Sequence, residues 1–506
     1  MSIIQNFPLF NIVMCLMSGV ISSILNGRYA KRLSLTLIGM AGVMNAFVLW
    51  YVSKYGQYTY MMGHFPAPWG NEIRVGSLEA LLAVFFCAIM FLSVLGGEHY
   101  IDLEVEETKE NLYFTMICLM LASLLALIYT NDMFTAYVFV EINTIAAGAL
   151  IMSRNTGHTL VAATKYMIMS LVGSGFLLLG LSMLYSVTGH LLMVNMHEQI
   201  VRLSKSGEYE IPLTVSMALM SVGLAVKSAL FPFHTWLADS YSYSTPASAA
   251  ILSSLVSKGY IFLLFKIFYR VFGFDFVLDH KVTNLLFAFG IAGMMVGSIV
   301  AIYQHDIRRL IAFSSVAQIG YIYMGIGLAV PMGTVAAVFH IMSHAASKSM
   351  LFIAARGLSD ASGDSKDFVD LKGSGFRNKL AGVGFGVGAF SMVGIPLFAG
   401  FTSKVYFAEA ALRANGGKLV VAMVALAIST ILNAVYFIRA LITLYTPKND
   451  GDLRAAEREK GSAGAGKWLP ISSAVALICF ILLNIFLGTW SYSIERAIET
   501  GLSTFG

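Results

Sequence analysis

The chain has 506 residues, 57% of them hydrophobic and only 12% charged, with a formal net charge of +5. A soluble domain carries about twice that charged fraction, so a water-soluble enzyme is excluded as a class. The basic excess lies mostly between apolar runs, where Lys and Arg report membrane topology rather than a nucleic-acid partner.

Apolar runs of about 18 residues or more recur along the sequence, the mark of an all-α polytopic membrane protein. In chain order the predicted spans centre on 9–26, 33–53, 77–96, 111–130, 132–153, 160–187, 211–231, 244–270, 282–303, 307–329, 332–356, 379–411, 417–446 and 467–493, about fourteen transmembrane helices. Several exceed the roughly 20 residues that a crossing helix needs, so tilt, breaks or flanking surface helices are expected. No basic region precedes the first run, which is expected to be a permanent helix rather than a cleaved signal. Cys15, Cys87, Cys118 and Cys479 all fall in apolar runs with no metal or disulfide spacing, and are expected to be small buried hydrophobes.

With the N-terminus placed outside, Arg28, Lys31, Arg32, Arg154, Arg308, Arg309, Arg356, Lys366, Lys372 and Arg377 fall on the inside, where basic residues outnumber those outside. Both termini are then outside and the location is the cell (inner) membrane. The inside loop over 98–110 is acidic instead, but acidic residues count little in the rule. The longest inside connectors are 357–378 and 447–467, the second rich in Gly, Ala and charge and expected to be flexible. No soluble domain is expected.

The seventh span contains Lys227 and is interrupted at Phe231-Pro232. The twelfth is interrupted around Gly394-Ile395-Pro396, with Lys404 shortly after. Prolines are common in membrane helices. Two proline-broken spans with lysines, five helices apart, predict more: a five-helix unit used twice, the second copy inverted because five is odd. The expected organisation is an N-terminal three-helix segment over 1–110 and a first repeat over 111–270 (helices 4–8). A second repeat over 282–446 (helices 9–13) and a connector with a C-terminal helix over 447–506 complete it.

Charged side chains inside such spans need a reason, since one at mid-bilayer costs about 2.5–3.5 kcal/mol on insertion scales. Glu141, in Phe-Val-Glu-Ile-Asn-Thr well inside the fifth span, is read as a buried carboxylate and the natural partner of Lys227. The two form either a static buried bridge or an ion pair whose changing distance pushes a proton onward. Lys258, midway along the eighth span, is a relay candidate; the alternative is a lysine that snorkels to an interface. His340, His344 and Lys348, four residues apart, stack on one face of the eleventh span and suit a proton wire. Zinc binding fits less well, because Ile341 stands where the metalloprotease pattern needs Glu and Lys348 repels a cation. Lys404 is either the counterpart of Lys227 at the exit side or a cap for half-helix carbonyls. His234, two residues past Pro232, belongs to the polar break or to a surface loop. Glu79 opens the third span, where the helix dipole alone would favour a carboxylate. Asp306 reads as a helix cap, with Arg308 and Arg309 as topology anchors.

Gly382, Gly384, Gly386 and Gly388 alternate without the dinucleotide fingerprint and read as small residues for close helix packing. The sequence has no phosphate-binding loop and no ligand cluster suited to haem or iron–sulfur. No cofactor, metal, redox or hydrolytic site is assigned.

Lys-Ser-Ala-Leu-Phe-Pro-Phe-His-Thr-Trp-Leu-Ala-Asp (227–239), followed by Ser-Thr-Pro-Ala-Ser-Ala, resembles the signature of the antiporter-like membrane subunits. These are shared by respiratory complex I, Mrp-type cation/proton antiporters and membrane-bound hydrogenases. The stretch 304–321, Phe-His-Ile-Met-Ser-His-Ala-Ala-Ser-Lys (339–348) and Gly-Ile-Pro-Leu-Phe-Ala-Gly-Phe-Thr-Ser-Lys (394–404) resemble further blocks of that family, and the likeness runs from about residue 75 to 445. It implies fourteen helices in two inverted repeats, an ion pair between Glu141 and Lys227, and a central hydrophilic axis holding Lys258, the histidines of helix 11 and Lys404. Lys404 stands where one complex I member has glutamate, and no long lateral-helix extension follows the last span. That combination is most similar to the Mrp D-type subunit or its hydrogenase counterpart. The implied function is proton translocation, with Na⁺ left open as coupling ion, beside other membrane subunits of a redox-driven or antiporting complex. The alternatives are a proton-pumping subunit of an NADH-quinone oxidoreductase, or a docking subunit with no ion path of its own.

Overall fold

In a bilayer every backbone polar group must find its partner within the protein, and the apolar runs accordingly form helices. The computed structural model describes residues 3–62, 65, 70–414, 416–447 and 469–505, so the connector expected over 447–467 lies outside the described residues except at its first. The first helices are α1 (Phe7–Ile24), α2 (Gly27–Tyr55), α3 (Ser77–Glu104), α4 (Glu110–Tyr129), α5 (Met133–Met152) and α6 (Gly157–Thr188). Then come α7 (Met193–Ser206), α8 (Glu210–Lys227), α9 (Thr235–Tyr243), α10 (Pro246–Phe272), α11 (Phe274–Asp279), α12 (Val282–Ile302) and α13 (Ile307–Gly327). The rest are α14 (Pro331–Asp360), α15 (Ser374–Arg377), α16 (Lys379–Val393), α17 (Ala399–Arg413), α18 (Gly417–Leu444), α19 (Ile471–Thr489) and α20 (Ser491–Ser503).

Among the described residues, twelve helices are long and apolar enough to cross a membrane. The eleventh and twelfth expected spans are not among them, for different reasons. α14 has the length, 30 residues, but its histidines, lysine and serines lower its hydropathy. The twelfth is split into α16 and α17, each of 15 residues and so shorter than the roughly 20 needed to cross alone.

Three features lie outside the predicted spans or extend them. A short antiparallel pair, β1 (Tyr58–Met61) and β2 (Glu72–Val75), sets Tyr58 opposite Val75 in the second connection. The amphipathic α7 and α20 carry one buried stripe each, Met193, Met196 and Ile200 in the first and Ile494, Ile498 and Gly501 in the second. α3 continues through what reads as an acidic loop, so Glu98, Asp102 and Glu104 are helical, and Glu104 meets Arg154 at 3.2 Å and Arg356 at 3.5 Å.

α10 is wholly enclosed by other helices, with α13 and α14 nearly so. Around them α2, α18 and α19 leave apolar side chains such as Phe47, Ile431 and Leu482 exposed, as a lipid-facing rim requires. α10 carries two π-turns, Leu252–Val256 just before Lys258 and Ile267–Phe272 just after Lys266; such turns concentrate at functional sites. Cys15, Cys87 and Cys118 are buried, whereas Cys479 is half-buried.

Both expected breaks are present. α8 ends at Lys227, five residues ahead of the proline, and Ala229 turns the backbone with φ of 62° before helix resumes at Thr235. α16 ends at Val393, followed by Gly394 at φ 93° and Leu397 at φ 87°; only glycine adopts the first without cost. α6 and α8 approach at Gly173 and Gly223, where a Cβ added at Gly173 would lie 2.8 Å from the Gly223 carbonyl oxygen and 3.0 Å from Cγ of Lys227. This contact between two backbones fixes Lys227 against its neighbours.

Candidate functional site

The candidate site is a row of ionisable side chains on α5, α8, α10, α14 and α17. Lys227, the last residue of α8, is fully buried and faces α5. Its Nζ lies 3.7 Å from Oε1 of Glu141, and the Glu141 side chain is 25% exposed. This corrects the expectation of a buried carboxylate: Glu141 sits on the flank of α5 rather than inside the bundle. Each charge has a hydroxyl partner of its own. Ser174 on α6 donates to Glu141, and Lys227 donates to Thr144 on α5 at 2.8 Å. The ammonium also lies 5.4 Å from the ring centroid of Tyr260 on α10.

Lys258 is fully buried in α10, so the snorkelling alternative is set aside. Its ammonium donates to the carbonyl of Ser253, within the π-turn, and to Oγ of Ser257 at 3.1 Å. No carboxylate pairs with it among the described residues.

α14 brings His340, His344 and Lys348 onto one face, all buried. The two imidazoles are 6.0 Å apart between centroids. Nδ1 of His340 lies 2.6 Å from Oγ of Ser403 on α17. Lys348 donates to the Ile311 carbonyl at 3.0 Å and to the Ser314 hydroxyl, both on α13. Both ring nitrogens of His344, both amide atoms of Gln318, Oγ of Ser343 and Oδ1 of Asn484 are buried without a hydrogen-bond partner among the described residues. Polar atoms so enclosed need water, and these lie on α14 and on two helices packed against it, α13 and α19.

Lys404 follows the second break yet reaches back to it. Its Nζ donates to the carbonyl of Val393 at 2.6 Å and to Oγ1 of Thr430 at 3.1 Å. The Tyr321 ring links it to α14: it lies 5.7 Å from the Lys404 ammonium and stacks on His340 at 5.6 Å. Lys404 therefore caps half-helix carbonyls and also stands next to the histidine row.

His234 is half-buried at the start of α9 and stacks on Phe231 at 5.5 Å. No hydrogen bond or ion pair among the described residues joins it to Lys227 or Lys258. Asp306 caps α13 as expected, accepting from the backbone N–H of Arg308 at 2.7 Å and of Arg309 at 3.0 Å. Arg308 does more than anchor topology: it is enclosed and donates to the carbonyls of Tyr241 and Ser244 at 3.1 and 2.6 Å.

Sequence reasoning missed a second cluster at one end of α3 and α10. Glu79 accepts from the Gly76 N–H at 3.2 Å, the first-turn role expected of it, and also forms a buried ion pair with Arg270. Lys266, eight residues beyond Lys258 in the same helix, donates to the carbonyls of Leu127 and Thr130 at 2.9 and 2.7 Å. The signal for Lys266 was the one that exposed Lys227, a charge inside an apolar run. Arg270 sits at the end of its span and reads as an ordinary flank.

Residues 130–430 match the family described as NADH:quinone oxidoreductase/Mrp antiporter, TM. The chain belongs to this family. NADH-quinone oxidoreductase subunit N of Desulforudis audaxviator is 32% identical over 76% of this chain and 75% of its own length. A Staphylococcus aureus protein named as an antiporter subunit, mnhD2, is 28% identical over 84% of this chain and 83% of its own. In the solved Mrp complex from Dietzia sp. DQ12-45-1b, one chain superposes with a TM-score of 0.86 over 100% of this chain and 98% of that one, at 22% identity, a likeness of fold. The matched region contains every member of the row from Glu141 to Lys404.

Proposed function

We propose that the chain is a proton-translocating membrane subunit of a multisubunit complex. In this reading protonation moves along Glu141, Lys227, Lys258, His340 with His344, Lys348 and Lys404, with His234 at the break. The observation that carries it is that Lys258 and Lys348 are fully buried and Lys404 half-buried, all with only carbonyl and hydroxyl hydrogen-bond partners, an arrangement costly in a bilayer unless the charge is used. The buried polar atoms around α14 support a hydrated passage between the two ends of the row. α14 and the broken pair α16–α17 then serve as two further spans, giving fourteen, and the breaks at Lys227 and Val393 support two inverted five-helix repeats over 111–270 and 282–446. The orientation proposed is both termini outside, in the cell membrane, beside other membrane subunits.

The preferred setting is an Mrp D-type antiporter or a hydrogenase-like complex, whose coupling ion is H⁺ alone or Na⁺ exchanged for H⁺. A second reading, a pumping subunit of an NADH-quinone oxidoreductase, is favoured by the 32% identity to a protein named subunit N. The test is transport by the whole complex in vesicles. Lys227→Ala and Glu141→Ala should each abolish proton movement while the complex still assembles. Normal transport by both variants would leave only a docking role.

A further inference from the structure

Glu141 and Lys227 are drawn as one pair by the sequence, but the lysine is bonded elsewhere. Its ammonium is 2.8 Å from Oγ1 of Thr144 and 3.7 Å from the nearest carboxylate oxygen of Glu141. Glu141 and Thr144 are three residues apart on α5 and so share a face. They differ in depth: Glu141 lies on the flank of the bundle, while Thr144 is fully buried.

The hydrogens around Thr144 are all assigned. Its hydroxyl has one, donated to the Val140 carbonyl at 2.9 Å, which leaves lone pairs that accept from the ammonium. The Tyr260 hydroxyl, 3.4 Å away, donates to Oδ1 of Asn143 at 3.0 Å. Asn143 in turn donates to Oγ of Ser123 at 2.8 Å, and Ser123 to the Met120 carbonyl at 2.7 Å. This chain across α5, α10 and α4 is satisfied throughout and points acceptor lone pairs and the π face of Tyr260 at one place, the Lys227 ammonium. On the other side Ser174 occupies a Glu141 oxygen, so the carboxylate keeps a partner when the lysine leaves it.

We propose that Thr144, with the Tyr260 ring beside it, is a positioning residue that gives the Lys227 ammonium a second seat, displaced from Glu141 toward α10. Exchange between the two seats is the moving part of the pair. Tyr260 belongs to α10, so the Thr144 seat lies toward the helix that carries Lys258, the next member of the row. The step is a side-chain displacement and breaks no covalent bond. This inference rests on the ion-path reading above.

The test uses the assembled complex in proteoliposomes. Thr144→Val keeps shape and removes the acceptor; losing a hydrogen bond to a charged group should lower the transport rate roughly 10-fold. Thr144→Ser restores the acceptor and should return transport to within roughly 2-fold of wild type, which a purely packing role of the threonine methyl would not allow. Tyr260→Leu, which removes the ring face beside the ammonium, should act in the same direction, and the Thr144→Val/Tyr260→Leu double variant should be no slower than the slower single, since both groups serve one seat. Thermal unfolding of each variant separates lost transport from lost folding. The proposal is overturned if Thr144→Val transports at the wild-type rate while Lys227→Ala is inactive, or if Thr144→Ser is as slow as Thr144→Val. Normal transport by Lys227→Ala is the separate outcome that removes the ion-path reading itself.

Discussion

The ion pair of Glu79 and Arg270 gives a stability prediction that the transport reading does not share. The two side chains are 1% and 2% exposed, and Arg270 is further held by the Phe505 carbonyl at 2.7 Å and by the Phe505 ring, 4.2 Å from its guanidinium carbon. Removing one partner of such a buried pair leaves the other charge uncompensated, at a cost of about 3–5 kcal/mol. Glu79→Gln isolates that charge term, because the amide oxygen can still accept from the Gly76 N–H and keep the first turn of α3. Lys266, nearby in α10, is a second cation that donates to carbonyls, so it cannot stand in for the lost carboxylate. The midpoint of thermal unfolding of the purified protein in detergent should therefore fall by several degrees in Glu79→Gln and in Arg270→Met. In Glu79→Leu/Arg270→Met most of the loss should return, because replacing both charges by apolar groups of similar volume is often neutral. Transport per folded molecule should stay near wild type in the Glu79 variants. An unchanged midpoint in Glu79→Gln, or a double variant as unstable as both singles added, would refute the reasoning.

Two further outcomes follow from positions outside the ion row. A Cβ at Gly223 would lie 2.6 Å from the Gly173 carbonyl oxygen and 2.8 Å from the Leu177 nitrogen; backbone atoms cannot swing aside, so Gly223→Ala should cost about 1–3 kcal/mol. Because Lys227 is one turn further along the same face, transport should fall more than stability does, and a variant that folds less well yet transports normally would count against this placement. Burial, reinforced by nearby Arg308, pushes the Lys366 amine in the loop after α14 down to about 8 from 10.5. The unfolded chain then holds that proton to higher pH than the folded one, so below about 8 the penalty is complete and stability should rise with pH between 8 and 10.5. Lys366→Met should flatten that rise in a series of thermal midpoints, and an unaltered slope would exclude Lys366 as its source.

Lys227, Lys258 and Lys404 were legible because a single charge in an apolar run is conspicuous without any partner in view. Their hydroxyl and carbonyl partners were not. Thr144, Ser174 and Thr430 are residue types that occur throughout membrane helices, and nothing local distinguishes one that receives an ammonium from one that bonds its own backbone. Glu79 shows the other limit. Its carboxylate was visible and its first-turn position correctly read, but Arg270 lies 191 residues further on, and only folding brings them together. The spans themselves were read closely wherever composition was uniform. They diverged where it was mixed: α3 ran on through charged residues because Glu104 finds Arg154 and Arg356.

The two breaks hold their lysines in different ways. Lys227 is the last residue before its break, whereas Lys404 comes ten residues after Gly394. Aligned on the prolines, the two lysines fall on opposite sides of their breaks. In space Lys404 nonetheless returns to the end of α16, because a helix that stops inside a membrane leaves carbonyls unpaired and an ammonium is the donor at hand for Val393. Lys227 needs no such carbonyl: its helix end is closed by the Ser228 N–H on the Leu224 carbonyl at 2.9 Å, which leaves its ammonium for Thr144 and Glu141. The first lysine is therefore free to exchange partners while the second is held by the break itself. Of the two, Lys227 is the one whose position can change without opening a helix end.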